Sequence, residues 1–209
     1  MFSGIVSSRC QVCSIEEENG VHRLTLDLTG LTQNLEVGAS VAINGVCLTV
    51  VAVDDSVVSF EIVEATRIQT NLRHLSAGNL VNVERAIRLG DEIGGHLLSG
   101  HVADVVEVVQ THPSTKERRI EFVVPRPWRK YFHTKGYIAL DGVSLTLASF
   151  DRETGIGVVN LIPETLRRTT FGAVSTGRLL NFEVDSTTLA VVDTVERMLQ
   201  SASKTVDGS

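Results

Sequence analysis

Nowhere in the 209-residue sequence does an apolar run approach the roughly 18 residues that a membrane-spanning helix needs. The N-terminus does not combine a basic segment with a long apolar core, so neither secretion nor membrane insertion is indicated and the cytoplasm is the expected location. Lys/Arg-rich stretches are also missing from a chain whose formal charge is −6, so nucleic acid and anionic membranes are not expected partners. Cysteine is sparse. Cys10, Cys13 and Cys47 make an odd set without a secretion signal, which argues against a disulfide framework. Cys10-Gln11-Val12-Cys13 has the spacing of half a zinc site or a redox pair, but no second such pair and no clustered histidines complete four ligands. No metal is expected. What remains is a chain of 43% hydrophobic and 21% charged residues with mean hydropathy +0.14, enough to bury a core and too apolar for a disordered protein.

The sequence says nearly the same thing twice. Phe2-Ser3-Gly4-Ile5-Val6 returns as Leu98-Ser99-Gly100-His101-Val102 after 96 positions, and Asn44-Gly45-Val46-Cys47-Leu48-Thr49 as Asp141-Gly142-Val143-Ser144-Leu145-Thr146 after 97. Thr66 with Thr70-Asn71-Leu72 is echoed by Thr165 with Thr169-Thr170-Phe171, and the block from Gly78 to Glu84 by that from Gly177 to Glu183, both after 99. A period this long fits a duplicated domain, not a solenoid unit. The expected division is residues 1–92, residues 93–186 and a tail, residues 187–209.

Period-2 alternation dominates each half. Leu24, Leu26 and Leu28 share one face, and the runs Ser40 to Val51, Val57 to Val63, Val102 to Val109, Arg119 to Val124, Ile138 to Ser149 and Gly157 to Ile162 read as strands between turn residues. About six short strands per half must bury one face and protect their edges, which closure into a small barrel achieves. Short helical turns are expected at 70–75 and 127–132. From Ser186, read as the cap, Leu189, Val192, Val195 and Leu199 predict a helix of three to four turns, with Ser201 to Ser209 frayed.

The blocks Met1 to Val6, Asn44 to Val50, Gly94 to His101, Asp141 to Thr146 and Ile162 to Leu166, in this order and spacing across the whole chain, resemble the riboflavin synthase family. The resemblance implies an all-β fold of two homologous six-stranded Greek-key barrels in tandem with a C-terminal α-helix that joins subunits into a homotrimer. It also implies dismutation of two 6,7-dimethyl-8-ribityllumazine molecules without metal or cofactor, and lumazine synthase as a partner. Its facing pockets come from different subunits. The expected catalytic residues are His101, Ser144, Cys47, Lys135 and Asp185. Substrate contacts are expected from Phe2, Ser3, Gly4, Ile5 and Val6, from Cys47, Leu48 and Thr49, and from Ile62, Val63, Glu64, Ala65 and Thr66 in the first repeat. In the second they are expected from Gly100, His101, Val102 and Lys135, from Ser144, Leu145 and Thr146, and from Ile162, Pro163, Glu164, Thr165, Leu166 and Arg167.

Differences between the repeats point to chemistry. A modest base near neutral pH suits the acidic C7 methyl group of a lumazine, and His101 stands where the first repeat has Ile5. Ser144 and Cys47 are equivalents, the first a candidate to orient water or hold an anion and the second a pocket wall in preference to a covalent nucleophile. Lys135 replaces Gly38 and Asp185 replaces Ala86, charged residues without an internal counterpart. His96 is open between a supporting role and a structural one. Close approach of a flat ligand to backbone favours Gly4, Gly45, Gly100 and Gly142, which taken alone read as turn glycines. The first repeat departs from the family pattern in carrying Ala65 where the second has Glu164, with Glu64 a substitute if a bulge allows it; Ser3 stands where Thr is commoner. A lumazine- or flavin-binding protein without turnover is the alternative reading. A flavin-reductase module lacks its Gly-rich nucleotide fingerprint.

Overall fold

A computed structural model describes residues 1–18, 20–113 and 117–206. The first repeat forms β1 (Ser8–Glu18), β2 (Val21–Asp27), β3 (Ser40–Ile43), β4 (Val46–Asp54), β5 (Val57–Val63) and β6 (Leu80–Arg85), with α1 (Glu64–Gln69) between the last two. These strands close in the order β1-β2-β5-β4-β3-β6, every pair antiparallel. Alternation decides which side chains face in. Leu24, Leu26, Leu28, Val58, Phe60 and Ile62 are essentially inaccessible, while Arg23 and Glu61 point out.

The run expected from Ser40 to Val51 is two strands. Asn44 and Gly45 have φ of +45° and +79°, the type I′ geometry that folds a two-residue hairpin back on itself. Asp141 and Gly142 repeat it at +43° and +77°. The second half comprises β7 (Asp104–Pro113), β8 (Arg118–Val123), β9 (Tyr137–Leu140), β10 (Val143–Thr146), β11 (Ser149–Phe150), β12 (Ile156–Leu161) and β13 (Leu179–Val184), with α2 (Pro163–Arg168). It departs from the six-stranded closed barrel expected. Its order is β10-β9-β13-β7-β8-β12-β11, a curled sheet of seven strands whose two ends are fragments of one strand. In the first repeat β4 passes this point through a register shift between Val50 and Ala52; in the second the ladder breaks between Thr146 and Ser149.

Short 3-10 turns occupy Asn71–His74 and Arg126–Tyr131, close to the positions expected, whereas α1 and α2 are additional to the expected elements. The C-terminal helix α3 (Ser186–Val206) is 21 residues long, well beyond three to four turns. Ser186 lies inside it. The cap is Asp185, whose carboxylate accepts from the Thr188 backbone N–H at 2.7 Å and hydroxyl at 2.8 Å. Residues 201–206, expected to fray, continue the helix, and 207–209 lie outside the described residues. Leu189 and Val192 pack on the second core, but Val195 and Leu199 stay 49% and 66% exposed, so the apolar stripe divides between two surfaces.

The repeats do not stand side by side as independent barrels; they exchange their leading segments. Phe2 and Leu98 pair across an antiparallel bridge. Beyond it Val6 enters the core of the second half, while Val102 packs on that of the first. Between the halves the two type I′ turns touch, and a network of buried amides joins them. Asn71 donates to Asp141 at 2.8 Å, Asn181 Nδ2 donates to the Asn44 carbonyl at 2.9 Å, and Asn82 Nδ2 to the Asp141 carbonyl at 3.0 Å.

Candidate functional site

Each exchanged leader is clamped by one buried carboxylate. Glu84 accepts from the Ser3 N–H at 2.6 Å, the Ser3 hydroxyl at 2.7 Å and the Gly4 N–H at 3.0 Å. Glu183 does the same for Ser99 and Gly100, at 2.7, 2.7 and 3.0 Å. Both glutamates end the repeated blocks from Gly78 and Gly177, so their equivalence was visible in the sequence; their role was not. Burial pushes the Glu84 carboxyl above the usual range, against the hydrogen bonds from Ser3 and Gly4 that pull it down.

The clamped leaders lie against the opposite half. The Gly100 carbonyl accepts from the Cys47 N–H at 3.0 Å, and the Gly4 carbonyl from the Ser144 N–H at 2.9 Å. Glycine is required at both positions. A Cβ there would stand 2.5 Å from that of Cys47 or Ser144, and both residues have left-handed φ, +81° and +75°. Gly45 and Gly142, by contrast, pack on each other in the turns.

His101, which sequence places in the second repeat, is therefore delivered to the first barrel. It lines a cavity of about 220 Å³ with Val46, Cys47, Thr66, Gln69, Thr70, Gly100 and Val102. Gln69 holds the leader there by donating to the carbonyls of Val102 and Ala103 at 3.3 and 3.0 Å. Ser144 receives Ile5's leader in exchange, and a different histidine: His96 Nδ1 lies 2.7 Å from Ser144 Oγ. Within one chain His101 lies beside Cys47 in the first half, and His96 beside Ser144 in the second.

The remaining expected residues divide by exposure. Cys47 is half-buried beside exposed Thr49, and Ser144 half-buried beside exposed Thr146, so each pair offers polar atoms on one strand face. Phe2, Val6, Leu48 and Ile62 are sealed in hydrophobic clusters; Leu145 and Leu166 pack partly on the second core. Val63, Ala65, Ile162 and Pro163 are exposed. Thr66 and Thr165 have their carbonyls taken by Thr70 and Thr169 hydroxyls at 2.7 and 2.6 Å, pinning the helices α1 and α2 that carry them. Glu64 leads α1 and binds Arg67 and His22, each at 2.9 Å, while Glu164, one position further along α2, binds Arg167 and Arg168; these partners hold both carboxyls below their ordinary range. Lys135 is exposed at φ +70°, a left-handed conformation that Gly38 occupies at +91° and that costs a side-chain-bearing residue about 1 kcal/mol or more.

Among the described residues the three cysteines are free, no cluster of three or more metal-ligating side chains occurs, and no helix is long and apolar enough to cross a membrane. Burial raises the Cys10 thiol to about 11, which makes it inert.

Comparison with known proteins adds an independent line. The model of the lumazine binding domain matches twice, at residues 3–86 and 99–185. Riboflavin synthase of Escherichia coli K12 is 44% identical over 201 residues, covering 95% of this chain and 93% of that one. Those of Chlamydia pneumoniae and Mycobacterium tuberculosis are 42% and 38% identical, covering 98% and 97% of this chain and all of theirs. Among solved structures, LumP complexed with riboflavin superposes with a TM-score of 0.82 over 89% of this chain at 24% identity, a likeness of fold.

Proposed function

The chain belongs to the riboflavin synthase family, and on that premise we propose that it converts two molecules of 6,7-dimethyl-8-ribityllumazine into riboflavin and 5-amino-6-ribitylamino-pyrimidinedione by transfer of a four-carbon unit. The observation that carries this reading is the exchange of leaders. A dismutation needs two sites that accept the same molecule and treat it differently, and the duplicated halves, with His101 carried across from the second to the first, have that property. One pocket has Cys47 and His101; the other has Ser144, His96 and no ionisable group at Ile5.

His101 is exposed on a clamped loop, placed to remove a proton from the C7 methyl group, whose anion the lumazine ring delocalises. Ser144 offers a half-buried hydroxyl to the partner molecule. Since these residues occupy separate pockets of one chain, joining them requires a second subunit. The exposed stripe of Val191, Val195, Met198 and Leu199 on α3 supports a homotrimer built through that helix. Thr66 and Thr165, with their neighbours on α1 and α2, hold the edges of the two ligands, and no cofactor takes part. Lys135, held in its left-handed conformation, supplies positive charge to a developing lumazine anion. The setting is cytoplasmic, with lumazine synthase as the supplier of substrate and a physical partner. Purified protein incubated with 6,7-dimethyl-8-ribityllumazine alone should develop riboflavin fluorescence. Tight binding of the compound without that signal identifies a lumazine-binding protein instead and overturns the enzymatic reading.

A further inference from the structure

His96 belongs to neither repeated block. It is buried, only 7% exposed, with Nδ1 2.7 Å from Ser144 Oγ. Nε2 is sealed from solvent and has no partner among the described residues. Two further contacts fix the ring. Tyr137 stacks on it at 5.0 Å and 17°. Gly95, immediately before it, approaches so closely that a Cβ would meet Ser3 O at 2.3 Å and Ser144 Cβ at 2.6 Å. The backbone at Gly95 is thus wedged between the first leader and Ser144, and His96 has little freedom to turn away.

We propose that His96 is a positioning residue for Ser144, donating from Nδ1–H to Oγ so that the serine hydroxyl hydrogen points into the ligand pocket. The tautomer follows from the environment. A proton on Nε2 would be a buried donor without an acceptor, whereas a bare Nε2 leaves only a lone pair unmatched. Burial favours the neutral ring, against the opposing pull of the Asp185 carboxylate. Held this way, Ser144 is a hydrogen-bond donor aimed at negative charge on the lumazine, and it is not primed as a nucleophile. The first pocket lacks the arrangement, because Cys47 has no histidine behind it in the same position. His96 is in this sense what makes the second pocket the anion-accepting one.

The inference rests on the enzymatic reading above, and a double-mutant cycle on the full chain separates the two. Ser144→Ala should lower kcat by about a hundredfold and His96→Phe by about tenfold, with KM little changed in the latter. In the Ser144→Ala background, His96→Phe should cost less than about twofold more, since its only route to the substrate is already removed. His96→Asn, whose amide reaches Oγ, should recover most of the activity, whereas His96→Gln, whose amide sits at the Nε2 side, should not. If His96→Phe does not fold, the contrast between Asn and Gln decides. Independent, multiplicative losses in the cycle, or equal activity of the Asn and Gln variants, overturn the assignment while leaving the function intact. A wild-type protein that makes no riboflavin overturns both.

Discussion

Substituting Glu183 by Gln is the sharpest probe of how the active pocket is assembled. The glutamate accepts from Ser99 N–H and hydroxyl through Oε1 and from Gly100 N–H through Oε2. A glutamine can keep its oxygen toward Ser99, but its NH₂ then faces the Gly100 N–H. Ser99 is half-buried and can turn to water; Gly100 is buried and cannot. One buried donor left unsatisfied costs about 1 to 3 kcal/mol. For a protein of this size that is a fall in Tm of roughly 2 to 12 °C. The Gly100 carbonyl, bonded to the Cys47 N–H, belongs to the same segment, so loosening it displaces His101 from the pocket. If all the loss falls on the docked leader, turnover drops by roughly fivefold to 150-fold. Glu84→Gln removes the equivalent bond at Gly4 and should destabilise to a similar degree, but the leader it frees carries Ile5, so its effect on turnover should be smaller. Calorimetry and initial-rate fluorescence on both variants make the comparison. A Glu183→Gln protein with wild-type Tm and turnover would refute the clamp, and equal turnover losses in the two variants would refute the assignment of His101 to the leader.

Three other outcomes follow from the geometry. His101→Ala should keep the fold and lumazine binding but lower turnover by on the order of a hundredfold or more, read from riboflavin fluorescence; near-normal turnover removes His101 from the mechanism. Asp141→Asn should flatten the dependence of stability on pH. Burial raises this carboxyl from 3.8 to about 7, so the proton is held in the folded state, and its stabilising contribution is present below pH 4 and lost as pH rises to 7. Urea midpoints should favour the variant over wild type more at pH 8 than at pH 5, and an unchanged difference contradicts the assignment. Truncation from Asp193 removes all of the exposed α3 stripe but Val191, and the hydrogen bond that the Tyr131 hydroxyl donates to Asp193; light scattering should show dissociation to monomers with turnover lost, and an unchanged mass would exclude the helix from assembly.

Much of this protein was determined by its sequence alone. The duplication and the alternating strands are periodic signals, and period-2 patterning dictates which residues enter a core wherever one face must be dry; the turns at Asn44-Gly45 and Asp141-Gly142 are hidden inside runs that stay apolar on both sides. The family blocks named the chemistry. Local pattern failed where two conformations share one pattern. Glu64–Gln69 and Pro163–Arg168 are single helical turns too short to develop a period, and the ladder break after Thr146 leaves hydrophobic alternation intact. The end of α3 is ambiguous in sequence for a different reason: small polar residues permit both a frayed tail and a helix carried onward by Asp185 at its start. Only the tertiary structure decided which half each leader joins. In the sequence His101 stands in the second repeat and Ile5 in the first; a crossing of two segments at Phe2 and Leu98 reverses that, because each leader finds its carboxylate clamp in its own repeat but its strand partner in the other. The same crossing puts His96 behind Ser144. No spacing along the chain encodes a contact across 48 residues that depends on how two barrels dock.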